Sequence, residues 1–363
     1  MKPIDEYFRK NSENLSFIEL KEESNIKLDK DIPYPIYMDN LIDGISTGEF
    51  DEGISYDLII SGMVICLAID PEFKYRENYL KLLEELPDLQ KYLTTKGIEM
   101  MQAENRNAIY FFRFLYLQAI STSFSDYNYA RLLYNSYELN QEDILKIESV
   151  NILEEIINSD PEFPLSYYQL GIINAKERYY NKALSFFKLA YSRLEDDLVK
   201  EELREYIREV EPNAKIEQGI DSMNRGDYTN SFDLFMESKL LDDSPIANYY
   251  LGLISELLGD TNAGIEYYLI AKEKGAEFKA LYQDLSISFY KKGMYKEALN
   301  ILQEGLDIYY EDTELLYNRM IIYFELGDIE MAKADMDILL EYGDIPEPIL
   351  ENIVKLREIY NIH

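Results

Sequence analysis

Four glycines, Gly226, Gly259, Gly293 and Gly327, follow one another at intervals of 33, 34 and 34 residues. A period held three times running confines the chain to a repeat architecture, in which each unit must offer its neighbour the same faces. Every one of these glycines ends one amphipathic stretch and precedes another. The stretch after Gly226 places Phe232, Phe235, Met236 and Leu240 at helical spacing. The unit is therefore helix–turn–helix. The turns read Arg225–Gly226–Asp227–Tyr228, Leu258–Gly259–Asp260–Thr261, Lys292–Gly293–Met294–Tyr295 and Leu326–Gly327–Asp328–Ile329. Their constant member is the glycine, as expected where a helix ends and the backbone turns to positive φ. Asp227 stands at the positive end of the next helix dipole. The Arg-Gly-Asp word at 225–227 would suggest an adhesion loop on an extracellular protein. Here it reads as a turn, because the arginine is not repeated.

The residues around these turns carry a family resemblance. The stretch Tyr167–Ala190, YYQLGIINAKERYYNKALSFFKLA, resembles the tetratricopeptide signature W-x2-L-G-x2-Y…A-x3-F…P. Tyr167 takes the Trp position, Leu170–Gly171, Ala183 and Phe187 match, Ala190 takes the next small position, and Asn174 departs. Later units show Gly219…Ser231…Phe235, Leu251–Gly252…Gly264…Tyr268…Ala271, Leu285–Ser286…Ala298…Leu302 and Met320…Ala332…Met336. Small residues at facing points let two helices approach, and the large residue fills the groove beside them. Gly264 and Met320 depart from the pattern. The resemblance covers residues 164–345, with divergent repeats from about residue 88 (Lys96–Gly97 with Ala108–Phe112, and Asp126–Asn158). It implies an all-α fold, a right-handed superhelical solenoid of six or seven helix pairs.

The organisation that follows has four parts: an irregular N-terminal segment over 1–54, a helical region with divergent repeats over 55–163, the array over 164–345, and a C-terminal capping helix over 346–363. Within the first part, Phe17–Leu28 alternates like a strand, Pro33 and Pro35 enforce an extended stretch, and a short helix is expected around Met38–Ile45. Helices are expected at Tyr56–Ile69, Glu77–Glu85 and Pro87–Gln102. Gly171 to Gly219 spans 48 residues, longer than the period by 14. The extra residues fall in Leu194–Pro212, where Leu194, Leu198, Leu203, Ile207 and Val210 form one stripe. They predict an extra helix at about 195–210, or a long extension of the helix before it.

Charge and composition narrow the function. Asp and Glu number 69 against 36 Lys and Arg, for a net charge of −33. That balance opposes a phosphate backbone, which needs cations to displace its counterions, and opposes anionic membranes. It favours solubility and basic or apolar partners. A single cysteine, Cys66, excludes an intrachain disulfide. The longest apolar run, Leu58–Ile69, is too short to span a bilayer, and the first residues lack the apolar core of a signal peptide. A cytoplasmic location is expected. The richness in Tyr, Ile, Asn, Glu and Lys without Trp is similar to that of AT-rich bacterial genomes. Catalytic chemistry has little to build on. The one histidine, His363, is the final residue, Cys66 lies in an apolar stretch, and no phosphate-loop, dinucleotide or EF-hand pattern is present. Asp43–Gly53 has carboxylates and glycines without the alternating ligand spacing of calcium loops. We expect no enzyme activity, no metal and no cofactor.

The tetratricopeptide resemblance implies that the first helix of each pair lines a concave surface that commonly holds peptides or extended protein segments. In the register of Gly171, Gly219, Gly252, Ser286 and Met320 the positions facing it are Tyr168, Ile172, Ile216, Ile220, Met223, Tyr249, Leu253, Ile287, Tyr290, Tyr317, Ile321 and Phe324. Asn224, Glu256, Gln283, Lys291 and Glu325 flank them. This apolar and aromatic set predicts a scaffold or adaptor for a protein or peptide with an apolar, aromatic or basic segment. The alternative is a regulator that senses a small peptide by changing its superhelix. The two-carboxylate clamp of the family needs Lys, Arg and Asn where this chain has apolar, Tyr or acidic residues. No nucleic-acid partner and no membrane insertion are expected. Whether these side chains stay open, pack on the next repeat, or are covered in cis by residues 1–54 or the extra helix remains open at this level, as do the oligomeric state and the partner.

Overall fold

The computed structural model describes residues 2–10, 14–20, 28–38, 55–342, 345–360 and 362. The expected helix at Met38–Ile45 lies, beyond Met38, outside the described residues, as does His363. The described chain is an all-α helical-repeat fold with one two-stranded sheet. It divides into two compact units, residues 1–173 with 186–200, and residues 174–185 with 201–363.

The first unit is organised around α2 (Tyr56–Ile69), following α1 (Pro3–Arg9) and the antiparallel strands β1 (Leu15–Ile18) and β2 (Tyr34–Tyr37). Ser55 caps α2 by accepting from the Leu58 amide at 3.2 Å. Every residue from Leu58 to Ile69 is buried, so the long apolar run is a core helix, hydrophobic all round because it is covered all round. Gly62 makes that possible on one side: a Cβ there would lie 1.8 Å from the Pro35 carbonyl oxygen of β2. The pairing Leu15↔Tyr37 to Ile18↔Tyr34 starts the strand two residues before Phe17, and residues 21–27 of the expected Phe17–Leu28 stretch lie outside the described residues.

The helices α3 (Arg76–Glu84), α4 (Leu89–Gln102), α5 (Ala108–Leu117), α6 (Ser123–Asn140) and α7 (Asp143–Ser159) follow. In the divergent pair α4–α5, Gly97 faces the Phe112 ring, which a Cβ would approach to 2.8 Å. Arg113 of α5 is buried and fully employed. Its Nε donates to the Ala68 carbonyl at 2.7 Å, and its Nη atoms donate to the Tyr129 hydroxyl and the Asp5 carboxylate, each at 2.6 Å. Its guanidinium also lies 4.1 Å from the Phe8 ring. An ion this deeply buried persists only with its hydrogen bonds complete, so Arg113 fixes α1 on the core.

The repeats proper run through α8 (Pro164–Lys176), α9 (Tyr180–Arg193), α10 (Asp197–Asn224), α11 (Tyr228–Leu241), α12 (Pro245–Leu257), α13 (Thr261–Glu273), α14 (Lys279–Lys291), α15 (Tyr295–Ile308), α16 (Thr313–Glu325) and α17 (Ile329–Tyr342). The last helix is α18 (Glu347–Tyr360). The extra residues form neither a separate helix nor an extension of the preceding one. They lengthen the following helix at its start, making α10 a continuous 28-residue helix with Pro212 inside it. The apolar stripe runs straight into the next repeat's first helix, so no turn signal separates them. Of the residues at helical spacing in α11, Phe235 is fully buried, whereas Leu240, one residue before the helix ends, is 81% exposed.

In three successive pairs a glycine meets an aromatic ring. A Cβ on Gly171 would lie 2.3 Å from Phe187, on Gly219 2.4 Å from Phe235, and on Gly252 2.5 Å from Tyr268. Gly264 departs from the signature because Glu256 lies against it, with Cγ 2.9 Å from where a Cβ would stand. The turn glycines Gly226, Gly259, Gly293 and Gly327 have φ between 72° and 88°. At each, the glycine N–H reaches back three residues and the next N–H five, as in Gly226 to Met223 and Asp227 to Ser222. This double bond pattern closes a helix end. Asp227, Asp260 and Asp328 then cap the following helix through their side chains.

Candidate functional site

In the second unit, the first helices of successive pairs meet through residues 35 apart, one period plus one. Tyr249 donates to Asp284 at 2.8 Å, Lys291 to Glu256 at 2.8 Å, Lys279 to Glu314 at 2.8 Å and Tyr290 to Glu325 at 3.4 Å. Asn352 of α18 donates to the Tyr317 hydroxyl in the same register. These links define the face that the sequence register assigned to binding. The electrostatics follow from burial and contact. Burial lifts Asp284 above the usual carboxylate range against the opposing pull of Tyr249 and Lys291. The Lys279 and Gln283 hydrogen bonds hold Glu314 below it. Burial and the neighbouring Glu325 raise the Tyr290 phenol.

Of the twelve sequence-predicted residues, Tyr168, Ile216, Tyr249 and Phe324 are buried, Ile287 is exposed, and the other seven are half-buried. Ile287, Tyr290, Tyr317 and Ile321 come together in a cleft of about 300 Å³, completed by Ser286, Asn318, Ile322 and Asn352. Ile287 is the most open of them, 38% exposed. Tyr249 is buried among aromatics, edge-on to Phe278 at 4.8 Å and Tyr250 at 5.3 Å, and Leu253 packs half-buried on the same core. Phe324 is buried and stacks on Tyr360 of α18 at 4.5 Å. Ile216 is buried, with Ile220 and Met223 half-buried around Phe235 and Leu251. Tyr168 and Ile172 stand in the first unit, Tyr168 buried against Phe187 at 6.2 Å. Asn352 is not among the sequence-predicted residues, because the C-terminal segment reads as a capping helix. Counting one further step of 35 from Tyr317 reaches it. Asn318 was missed because a register chosen for apolar side chains passes over an amide.

Cys66 is buried in α2, and its thiol is pushed up to about 12 by that burial; a thiol so protonated is a poor nucleophile. Among the described residues no group of three His, Cys, Asp or Glu side chains is placed to hold a metal ion. No helix among them is long and apolar enough to cross a membrane.

The glycine-terminated turns, the glycine–aromatic contacts within pairs and the 35-residue links between first helices make this a tetratricopeptide-like helical-repeat protein. No family model and no curated protein matches the chain. Among solved structures it is similar to YrrB, described as a TPR protein with an unusual peptide-binding site. The identity is 15% over 57% of this chain and 97% of that one, with a TM-score of 0.39. It is also similar to MamA (AMB-1), at 16% identity over 53% of this chain and 98% of that one, with a TM-score of 0.38.

Proposed function

We propose that the protein is a non-catalytic interaction module that holds a peptide or extended protein segment in the cleft between α14 and α16. The observation that carries this reading is the convergence of Ile287, Tyr290, Tyr317 and Ile321 on one open, mainly apolar cleft. Side chains of this kind, apolar in body with hydroxyl tips, suit a partner surface. Elsewhere on the same face the links between repeats engage Tyr249 with Asp284, Glu256 with Lys291 and Glu314 with Lys279. The binding region is accordingly shorter than the full run of first helices. Tyr249 supports the cleft from the core and is no contact residue.

The test is selection from a random-peptide library on the full chain, followed by titration of the selected peptides against two single variants. Ile287→Asp should weaken them at least about tenfold, the cost of placing a carboxylate in an apolar contact. Leu240→Asp, at an 81% exposed site outside the cleft, should leave them unchanged. Equal affinities for both variants would reject the cleft as the site.

A further inference from the structure

The polar groups of the cleft specify a ligand more narrowly than its apolar lining does. The side chain of Asn318, a lining residue, makes no hydrogen bond among the described residues, so its amide offers both a donor and an acceptor. Asn352, one period further on, has its Nδ2 committed to the Tyr317 hydroxyl and keeps its carbonyl oxygen as an acceptor. Amides of this kind at the rim of an apolar cleft match the alternating N–H and C=O groups of an extended backbone. The carboxylates on this face are not equivalent. Glu256 is held by Lys291 and Glu314 by Lys279, while Asp284 takes the Tyr249 hydroxyl. Glu325 is exposed, lies 3.4 Å from the hydroxyl of the cleft residue Tyr290, and makes no ion pair among the described residues. It stands one helical turn after Ile321. Lys291, next in sequence to Tyr290, pairs with Glu256 at 2.8 Å.

We propose that the cleft recognises an extended segment in which one large aliphatic side chain sits between Ile287 and Ile321 and an adjacent Lys or Arg pairs with Glu325. The inference rests on the cleft reading above and adds the chemistry of the occupant. The net charge of −33 favours the same class of partner at longer range.

Fluorescence anisotropy with three labelled peptides tests it, each a Gly/Ser frame carrying Leu-Lys, Leu-Glu or Ala-Lys at its centre, titrated to about 1 mM. The receptors are the full chain, Ile287→Asp and Glu325→Lys, each checked for an unchanged melting temperature. We expect Leu-Lys to bind the wild type roughly fivefold better than Leu-Glu, as one exposed ion pair allows. We also expect Glu325→Lys to reverse that order, and Ile287→Asp to weaken both. If Leu exceeds Ala and Ile287→Asp abolishes the difference while Lys and Glu bind alike, the charge inference is overturned and the cleft reading stands. If Leu and Ala are indistinguishable, or no peptide binds at the highest concentration, both fall.

Discussion

Arg178 adopts the backbone conformation that glycine holds at the later turns. Its φ is 63°, its N–H reaches Ala175 and the next N–H reaches Asn174, the same closure as at Gly226. A side chain in this region costs about 1 kcal/mol. Arg178→Gly should therefore raise stability by about that amount, and Gly226→Ala should lower it by a similar amount, both read by denaturant unfolding. Since no Cβ clash exists at Gly226, backbone conformation alone sets that loss. This residue also shows why the period began at Gly226 in the sequence: an arginine in a glycine's conformation leaves no compositional mark. Asp126 is a second residue that only the structure exposes. Burial pushes its carboxyl from 3.8 to about 6, and its Oδ1 is buried without a partner. Between those two values the native carboxyl holds a proton that the unfolded one has released, so stability falls as pH rises through that window. Asp126→Asn should stabilise the protein at pH 7 and do little below the lower value, and unfolding curves at the two ends measure the difference.

At the scale of elements, the later helices were legible because each pair repeats glycine, aromatic and turn at fixed spacing. The early helices α2, α3 and α4 were legible as well, but the contact that seats β2 was not. The seating of β2 on α2 depends on Gly62, a glycine inside an apolar helix whose purpose is visible only when Pro35 is seen above it. Gly62→Ala should cost about 3 kcal/mol, since the clash is with backbone and not with a side chain that can turn away. A gain in stability, the usual result of Gly→Ala within a helix, would contradict the contact. The start of α9 follows the same logic. Where Asp227, Asp260 and Asp328 cap the later second helices, this turn has Tyr179. The missing acceptor comes from Glu217, whose carboxylate takes the Tyr180 and Asn181 N–H groups at 3.0 and 2.8 Å. Glu217→Ala should cost about 1 kcal/mol, measured by thermal unfolding. A cap lent by a residue 37 positions away cannot be read from local sequence.

At the scale of the whole molecule, the sequence register selected a face, and packing decided how much of that face is open. Tyr168, Ile216, Tyr249 and Phe324 satisfy the register and are buried, because the pattern of apolar residues is the same for a side chain that packs on a neighbour and one that waits for a partner. In the second unit, Ile287, Tyr290, Tyr317 and Ile321 with Asn318 and Asn352 line one accessible cleft on that face. Hydrogen exchange on the full chain, with and without the tightest library-selected peptide, tests this most directly. Added protection is expected in α14, α16 and α18, and none in α5 to α7. Protection confined to other helices, with α14 and α16 unchanged, would contradict it.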